Sequence, residues 1–197
     1  VASAGQSNSA MPAGHPDISG QQNVPNSPEL QLAVEKAKNN PNDFEAQVKA
    51  AELSNRVEQY EQTIEFLRIA NKLKPDDYET IVNLGNVNFD SGRFADAEKW
   101  YLAALEKKKD DSNVRTDLGL TFIFRDTPNY DRAIQEFNTV LTAEPNHVYA
   151  LQNSIVAYLR KGDAAKAKEN LVKLETTSPQ NTAIPRFKDQ LNKLGAN

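Results

Sequence analysis

From Leu30 to Leu194 apolar residues return every three or four positions, the spacing that gathers them on one face of an α-helix, and the chain is predicted to be all-α. The stripes come in pairs. A short turn holding glycine or a polar cluster joins the two stripes of a pair, and proline stops the second stripe at Pro41, Pro75, Pro145 and Pro179, with Lys109 in its place once. The prolines fall at spacings of 34, 70 and 34, and 70 is two periods plus a two-residue insertion that fits the turn "RDTPNYD".

The segments 78–111 and 148–181 have 34 residues each and align Gly92 with Gly162 and Ala97 with Ala167. Segment 112–147 joins the same frame with Gly119 for Gly85, Ala133 for Ala97, Phe137 for Tyr101 and Leu141 for Leu105. Segment 44–77 joins it with Ala50, Ala51, Leu67 and Ala70. Each unit is predicted to be a helical hairpin. The polar residues after each stop (Asn42 and Asp43, Asp76 and Asp77, Asp111 and Ser112, Asn146, Asn181) suit the cap of the next helix, so paired aspartates here are caps and not catalytic dyads. Flanking stripes predict a capping helix at each end: Leu30, Ala33, Val34 and Ala37 within 27–43, opened by Ser27 and Pro28, and Ile184, Phe187, Leu191 and Leu194 within 182–197.

The alternation of a large residue, Leu-Gly, an aromatic, and then Ala, an aromatic and proline resembles the tetratricopeptide repeat family, most clearly in "NLGNVNF…GRFADAEKWYLAAL" and "DLGLTFIF…YDRAIQEFNTVL…P", and suggests a bacterial protein. The resemblance covers 44–181. It implies a right-handed α-solenoid of four helix-turn-helix units, 44–77, 78–111, 112–147 and 148–181, between the two capping helices. Departures from the pattern are Gln47 and Arg115 at the large-residue position, Ala51 and Ile155 for glycine, and Thr63 for alanine; they bear on helix angles.

The resemblance further implies that the first helix of each unit lines a concave groove that binds peptides or partner proteins. In the shared frame the groove positions are Glu45, Val48, Glu52 and Asn55; Glu79, Val82, Asn86 and Phe89; Asn113, Thr116, Leu120 and Ile123; and Tyr149, Gln152, Val156 and Leu159. One subclass of the family clamps a C-terminal carboxylate with lysines and asparagines. Asn86 suits such a clamp, but Val48, Asn113 and Asp117 stand where cations are required, so a clamp is not expected. Phe89, Phe124 and Tyr149 are read either as apolar seats along the groove or as filling between helices.

Composition narrows the function classes. With 23 Lys and Arg against 27 Asp and Glu, interspersed to a net charge of -4, the chain has no basic footprint for nucleic acid. No apolar stretch approaches the roughly 18 residues of a membrane span. There is no cysteine, which removes disulfides, thiolate metal sites and cysteine nucleophiles. The two histidines, His15 and His147, stand in no metal-ligand spacing, and no Walker loop, nucleophile elbow or dinucleotide turn is present. The expectation is a non-catalytic protein-binding scaffold without metal or cofactor, the alternative being an assembly protein that associates with its own copies.

Residues 1–26 are polar, rich in Gly, Pro, Ser, Asn and Gln, and too poor in apolar surface to fold unaided, which predicts a disordered or extended tail. Within it "MPAGHPDISG" gathers Met11, Pro12, His15, Pro16 and Ile18 and is read either as a docking segment for a repeat groove or as a spacer from a membrane tether. "VASAGQSNSA" has the small, polar character of the stretch after a cleaved signal or a membrane anchor, and equally fits a chain cut at that point. The element "PAGHP" resembles segments of bacterial envelope proteins near c-type cytochrome assembly. A periplasmic or membrane-anchored location is expected over a cytoplasmic one, with a role as an envelope assembly factor.

Overall fold

A computed structural model of the chain describes residues 27–195. Among the described residues there are ten α-helices and no strand. They are α1 (Pro28–Asn39), α2 (Phe44–Arg56), α3 (Tyr60–Leu73), α4 (Tyr78–Asp90), α5 (Phe94–Lys107), α6 (Ser112–Phe124), α7 (Tyr130–Ala143), α8 (Val148–Lys161), α9 (Ala164–Thr177) and α10 (Ile184–Gly195). Each helix packs on its neighbours in the chain, so the array is a solenoid of stacked pairs between α1 and α10.

The polar residues between units begin the helices as the sequence implies. Asp43, Asp77 and Asp111 accept hydrogen bonds from the N–H groups of Ala46, Thr80 and Val114 at 3.1, 2.9 and 2.9 Å, and Ser27 accepts from Leu30 at 3.2 Å. His147 does the same work for α8 through Nδ1, which accepts from Ala150 N–H at 3.2 Å. The neighbouring Asp76 is exposed and meets Lys107 Nζ at 2.6 Å, a hydrogen bond that holds its carboxyl below the ordinary range.

Close helix crossing sets the residue types inside each unit. Ala97 and Ala133 have no exposed surface, and a Cβ built on Gly85 or Gly119 would stand 2.5 Å from the Tyr101 ring or 2.4 Å from the Phe137 ring. Where glycine is replaced, the opposite residue shrinks: Ala51 and Ile155 share their units with Leu67 and Leu171 in place of an aromatic. The polar departures also have structural partners. Gln47 Nε2 donates to Ala37 O at 2.8 Å and Asn40 O at 3.3 Å, and Arg115 Nη2 donates to Lys109 O at 2.9 Å, so both serve carbonyls at the end of the preceding helix. Arg115 Nη1 also reaches Glu136 at 2.9 Å, and Arg132 reaches the same carboxylate at 2.7 Å.

The core forms two contiguous clusters, one from Ala37 to Val87 and one from Ile81 to Phe187, with Trp100 packed against both. At the ends α1 buries Leu30 and Ala37, and α10 buries Ile184 and Phe187. Burial of a side chain such as Phe187 contributes roughly 1.5–3 kcal/mol, enough to hold a short terminal helix in place. None of the described helices is long and apolar enough to cross a membrane.

Candidate functional site

The helices that open each unit present successive faces to one side of the solenoid, and the candidate site lies where α2 and α4 do so. A cleft of about 410 Å³ opens between them. Its walls are Val48, Glu52, Asn55 and Arg56 of α2 and Asn83, Asn86 and Asp90 of α4; Ala51, Val87, and Thr63 and Leu67 of α3 complete it. Leu67 stands where Tyr101 and Phe137 stand in the next units and has no ring to fill the space.

The polar groups of the cleft are oriented. Tyr101 reaches over Gly85 and donates its hydroxyl to Asn86 Oδ1 at 3.0 Å, so what Asn86 has left to offer the cleft is its N–H donors. Burial, followed by the charges of Asp117 and Asp90, pushes the Tyr101 phenol well above its ordinary range and keeps that donor protonated. Asn55 Oδ1 is buried and accepts no hydrogen bond from any described residue. Glu52 pairs with Arg56 and, at 3.1 Å, with Lys49. The cleft therefore combines an apolar floor with a buried acceptor, amide donors and both signs of charge.

A shallower hollow of about 580 Å³ lies by the α2–α3 turn, lined by residues 58–62 with Asp90 and Ser91. Its Tyr60 phenol is raised by burial and by Glu58 and Asp90. Glu58 adopts φ 59, the conformation that Gly92 and Gly162 adopt at φ 75 and 83 in the equivalent turns.

Of the sequence-derived groove positions, Val48, Glu52, Asn55 and Asn86 come together in the cleft. Glu45, Glu79, Asn113 and Tyr149 are exposed near the starts of their helices, and Val82, Val156 and Leu159 are half-buried against the core. Thr116, Leu120, Ile123 and Gln152 are buried where α6 packs on α8 as well as on its own partner, and Phe89 is buried against the rings of Phe94 and Phe124. Gln152 is engaged by Asn181 at 3.1 Å, and Asn113 by His147 at 3.3 Å. Phe124 stays 44% exposed and joins Phe89 and Phe94 in an aromatic cluster with centroid spacings of 5.3–6.2 Å. Met11, Pro12, His15, Pro16 and Ile18 lie outside the described residues. Arg56, Asn83 and Asp90 were missed by the groove frame, yet each sits three or four positions from a residue it named, on the same helical face. Among the described residues no group of acidic or imidazole side chains could hold a metal ion.

The tetratricopeptide repeat family profile matches residues 56–112, from the end of α2 to the start of α6. Solved structures share the fold at low identity. YrrB, described as a tetratricopeptide repeat protein with an unusual peptide-binding site, is 21% identical with a TM-score of 0.70 over 81% of each chain. PilW, described as a widely conserved type IV pilus biogenesis factor, is 18% identical with a TM-score of 0.71 over 85% of this chain and 77% of its own. MamA from Desulfovibrio magneticus RS-1 is 18% identical with a TM-score of 0.69 over 78% of this chain and 85% of its own. The tetratricopeptide repeat is matched in sequence over residues 56–112, and the described helices carry the fold of the solved tetratricopeptide repeat structures.

Proposed function

We propose that the chain is a non-catalytic scaffold that binds an extended segment of a partner protein in the cleft between α2 and α4. The observation that carries this reading is Asn55 Oδ1, a buried acceptor without a described donor in a cleft whose other wall offers the N–H groups of Asn86. An unmet buried acceptor costs about 1–3 kcal/mol, and a main-chain N–H entering the cleft recovers it. Val48, Leu67 and Val87 supply apolar contact for alternate side chains of such a segment. YrrB's described peptide-binding site supports the class of ligand, and PilW's described role in pilus biogenesis supports an assembly role at the envelope.

Selection of peptides on the immobilised chain tests this. Selected peptides are expected to shift the side-chain amides of Asn55, Asn83 and Asn86 and to bind an Asn86→Leu variant at least about tenfold more weakly, a loss of about 1.4 kcal/mol. Peptides that bind both forms equally while helicity is unchanged would place the site elsewhere.

Self-association is the second reading, favoured by Leu32, an apolar side chain 66% exposed on α1. The outward face of α10 opposes it with Pro185, Lys188, Asp189 and Asn192, all exposed. Light scattering is expected to give a monomer across a concentration series.

A further inference from the structure

Residues 11–18, with their two prolines and flanking apolar side chains, precede the described residues, which begin at Ser27. Ser27 caps α1, and Glu29 in its first turn lies 3.9 Å from Lys49 Nζ. Lys49 in turn meets Glu52, which forms the cleft wall with its partner Arg56. Three side chains thus link the start of α1 to the mouth of the cleft. The nine steps from Ile18 to Ser27 reach up to about 30 Å when extended, more than this relay requires.

Resting on the peptide-binding reading, we propose that residues 11–18 of the same chain occupy the α2–α4 cleft as an extended segment. Seven extended steps cover roughly 23 Å, close to the roughly 20 Å length of a 13-residue helix such as α2. Met11 and Ile18 meet the apolar floor at Val48 and Leu67, a main-chain N–H of the segment reaches Asn55 Oδ1, and Asp17 faces Arg56. Pro12 and Pro16 hold the backbone near extended geometry and reduce the entropy lost on docking. A tether this short gives a millimolar effective concentration, so even a contact with a millimolar dissociation constant is about half occupied. A partner then has to displace the tail, which sets a threshold for capture.

The chain has no cysteine, so Ser19→Cys takes a single nitroxide label in the full-length protein. The expected result is paramagnetic broadening of the Asn55, Asn83 and Asn86 resonances, independent of protein concentration and lost in a full-length Met11→Asp/Ile18→Asp variant. That variant is also expected to bind a selected peptide about twofold more tightly, the gain from vacating a half-occupied site. Broadening confined to residues 27–30 overturns the proposal, as does broadening that fades on dilution, which would assign the tail to a neighbouring molecule. Titrating a selected peptide into the same samples separates the two readings. Shifts at Asn55 and Asn86 without label broadening defeat the tail alone, whereas a cleft that responds to neither defeats both.

Discussion

Gly119 lies so close beneath Phe137 that a Cβ there would stand 2.4 Å from Cε1 of the ring. Phe137 has no exposed surface and cannot retreat. Gly119→Ala therefore sets about 1–3 kcal/mol of overpacking against about 1 kcal/mol gained from helix propensity, and overlap this deep puts the cost at the upper end. A lower urea midpoint is expected, partly restored by adding Phe137→Leu, since the first unit already pairs Ala51 with Leu67. A second substitution that only adds to the loss would refute the idea that the two positions exchange volume.

Glu58 holds φ 59 where the equivalent turns use glycine. The left-handed conformation costs a residue with a Cβ roughly 1–2 kcal/mol, and glycine returns part of that in unfolded-state entropy. Glu58→Gly is expected to stabilise the protein by about 0.5–1 kcal/mol. Gly162→Ala, which meets open space and only the strain, is expected to destabilise it by about 1 kcal/mol. Thermal unfolding of both variants decides the matter, and movement of the two in the same direction would contradict it.

Glu136 is buried to 5% side-chain exposure and held by Arg115 from α6 and Arg132 from its own helix. Arg115→Met removes one of two cations and the donor to Lys109 O, leaving a carboxylate that Arg132 still partly neutralises. A loss of about 1–3 kcal/mol is expected, short of the 3–5 kcal/mol typical of a fully orphaned buried charge. In a double-mutant cycle Glu136→Gln should cancel part of it. A coupling near zero would show that Arg115 acts through the helix end alone.

The residues legible in the sequence were those whose identity is fixed by contact within one unit. Gly85 and Gly119 must be small because a ring covers them, and Asp43, Asp77 and Asp111 must accept because a helix begins at the next residue and leaves its first N–H groups unpaired. His147 was readable as a helix start by position, but not its use of Nδ1 as the cap. The cleft was legible only by halves. A repeat frame treats every unit alike, whereas the cleft is particular to α2 and α4, with Thr63 and Leu67 of α3 completing it. The same frame assigned Leu120, Ile123 and Gln152 to an open face that the contact of α6 with α8 closes. Gln47 and Arg115 read as departures because the carbonyls they serve, Ala37 O and Lys109 O, lie before the unit being aligned.

Tyr78 donates its hydroxyl to Asp111 Oδ2 at 2.7 Å, tying the start of α4 to the cap of α6, with Lys108 Nζ 3.6 Å over its ring. Burial first, and then the hydrogen bond to Asp111 and its charge, raise the phenol above its ordinary value. The folded state thus keeps a proton that the unfolded chain releases above about pH 10. Bound protons are then fewer in the unfolded state, so stability falls as pH rises from there toward the folded-state value. Tyr78→Phe is expected to lower stability near neutral pH by about 1–2 kcal/mol, and to flatten the alkaline decline. Denaturant curves between pH 8 and 11 measure both, and parallel declines in the two proteins would show that other groups govern that window.

Tyr101 is expected to act on ligand binding without touching the ligand. Its hydroxyl fixes the Asn86 amide with the oxygen turned away from the cleft, so Tyr101→Phe leaves the core ring in place and frees the amide to turn. The stability cost is expected at about 0.5–1.5 kcal/mol, since a single hydrogen bond is removed. Affinity for a selected peptide should fall several-fold, less than the loss in Asn86→Leu, because the donors are still present for part of the time. Once Asn86 has been replaced, the further change of Tyr101 should leave affinity where it was. Calorimetric titration of the two single variants and the double variant reads this directly. A Tyr101→Phe protein that is less stable but binds the peptide unchanged would show that the ring positions only the core.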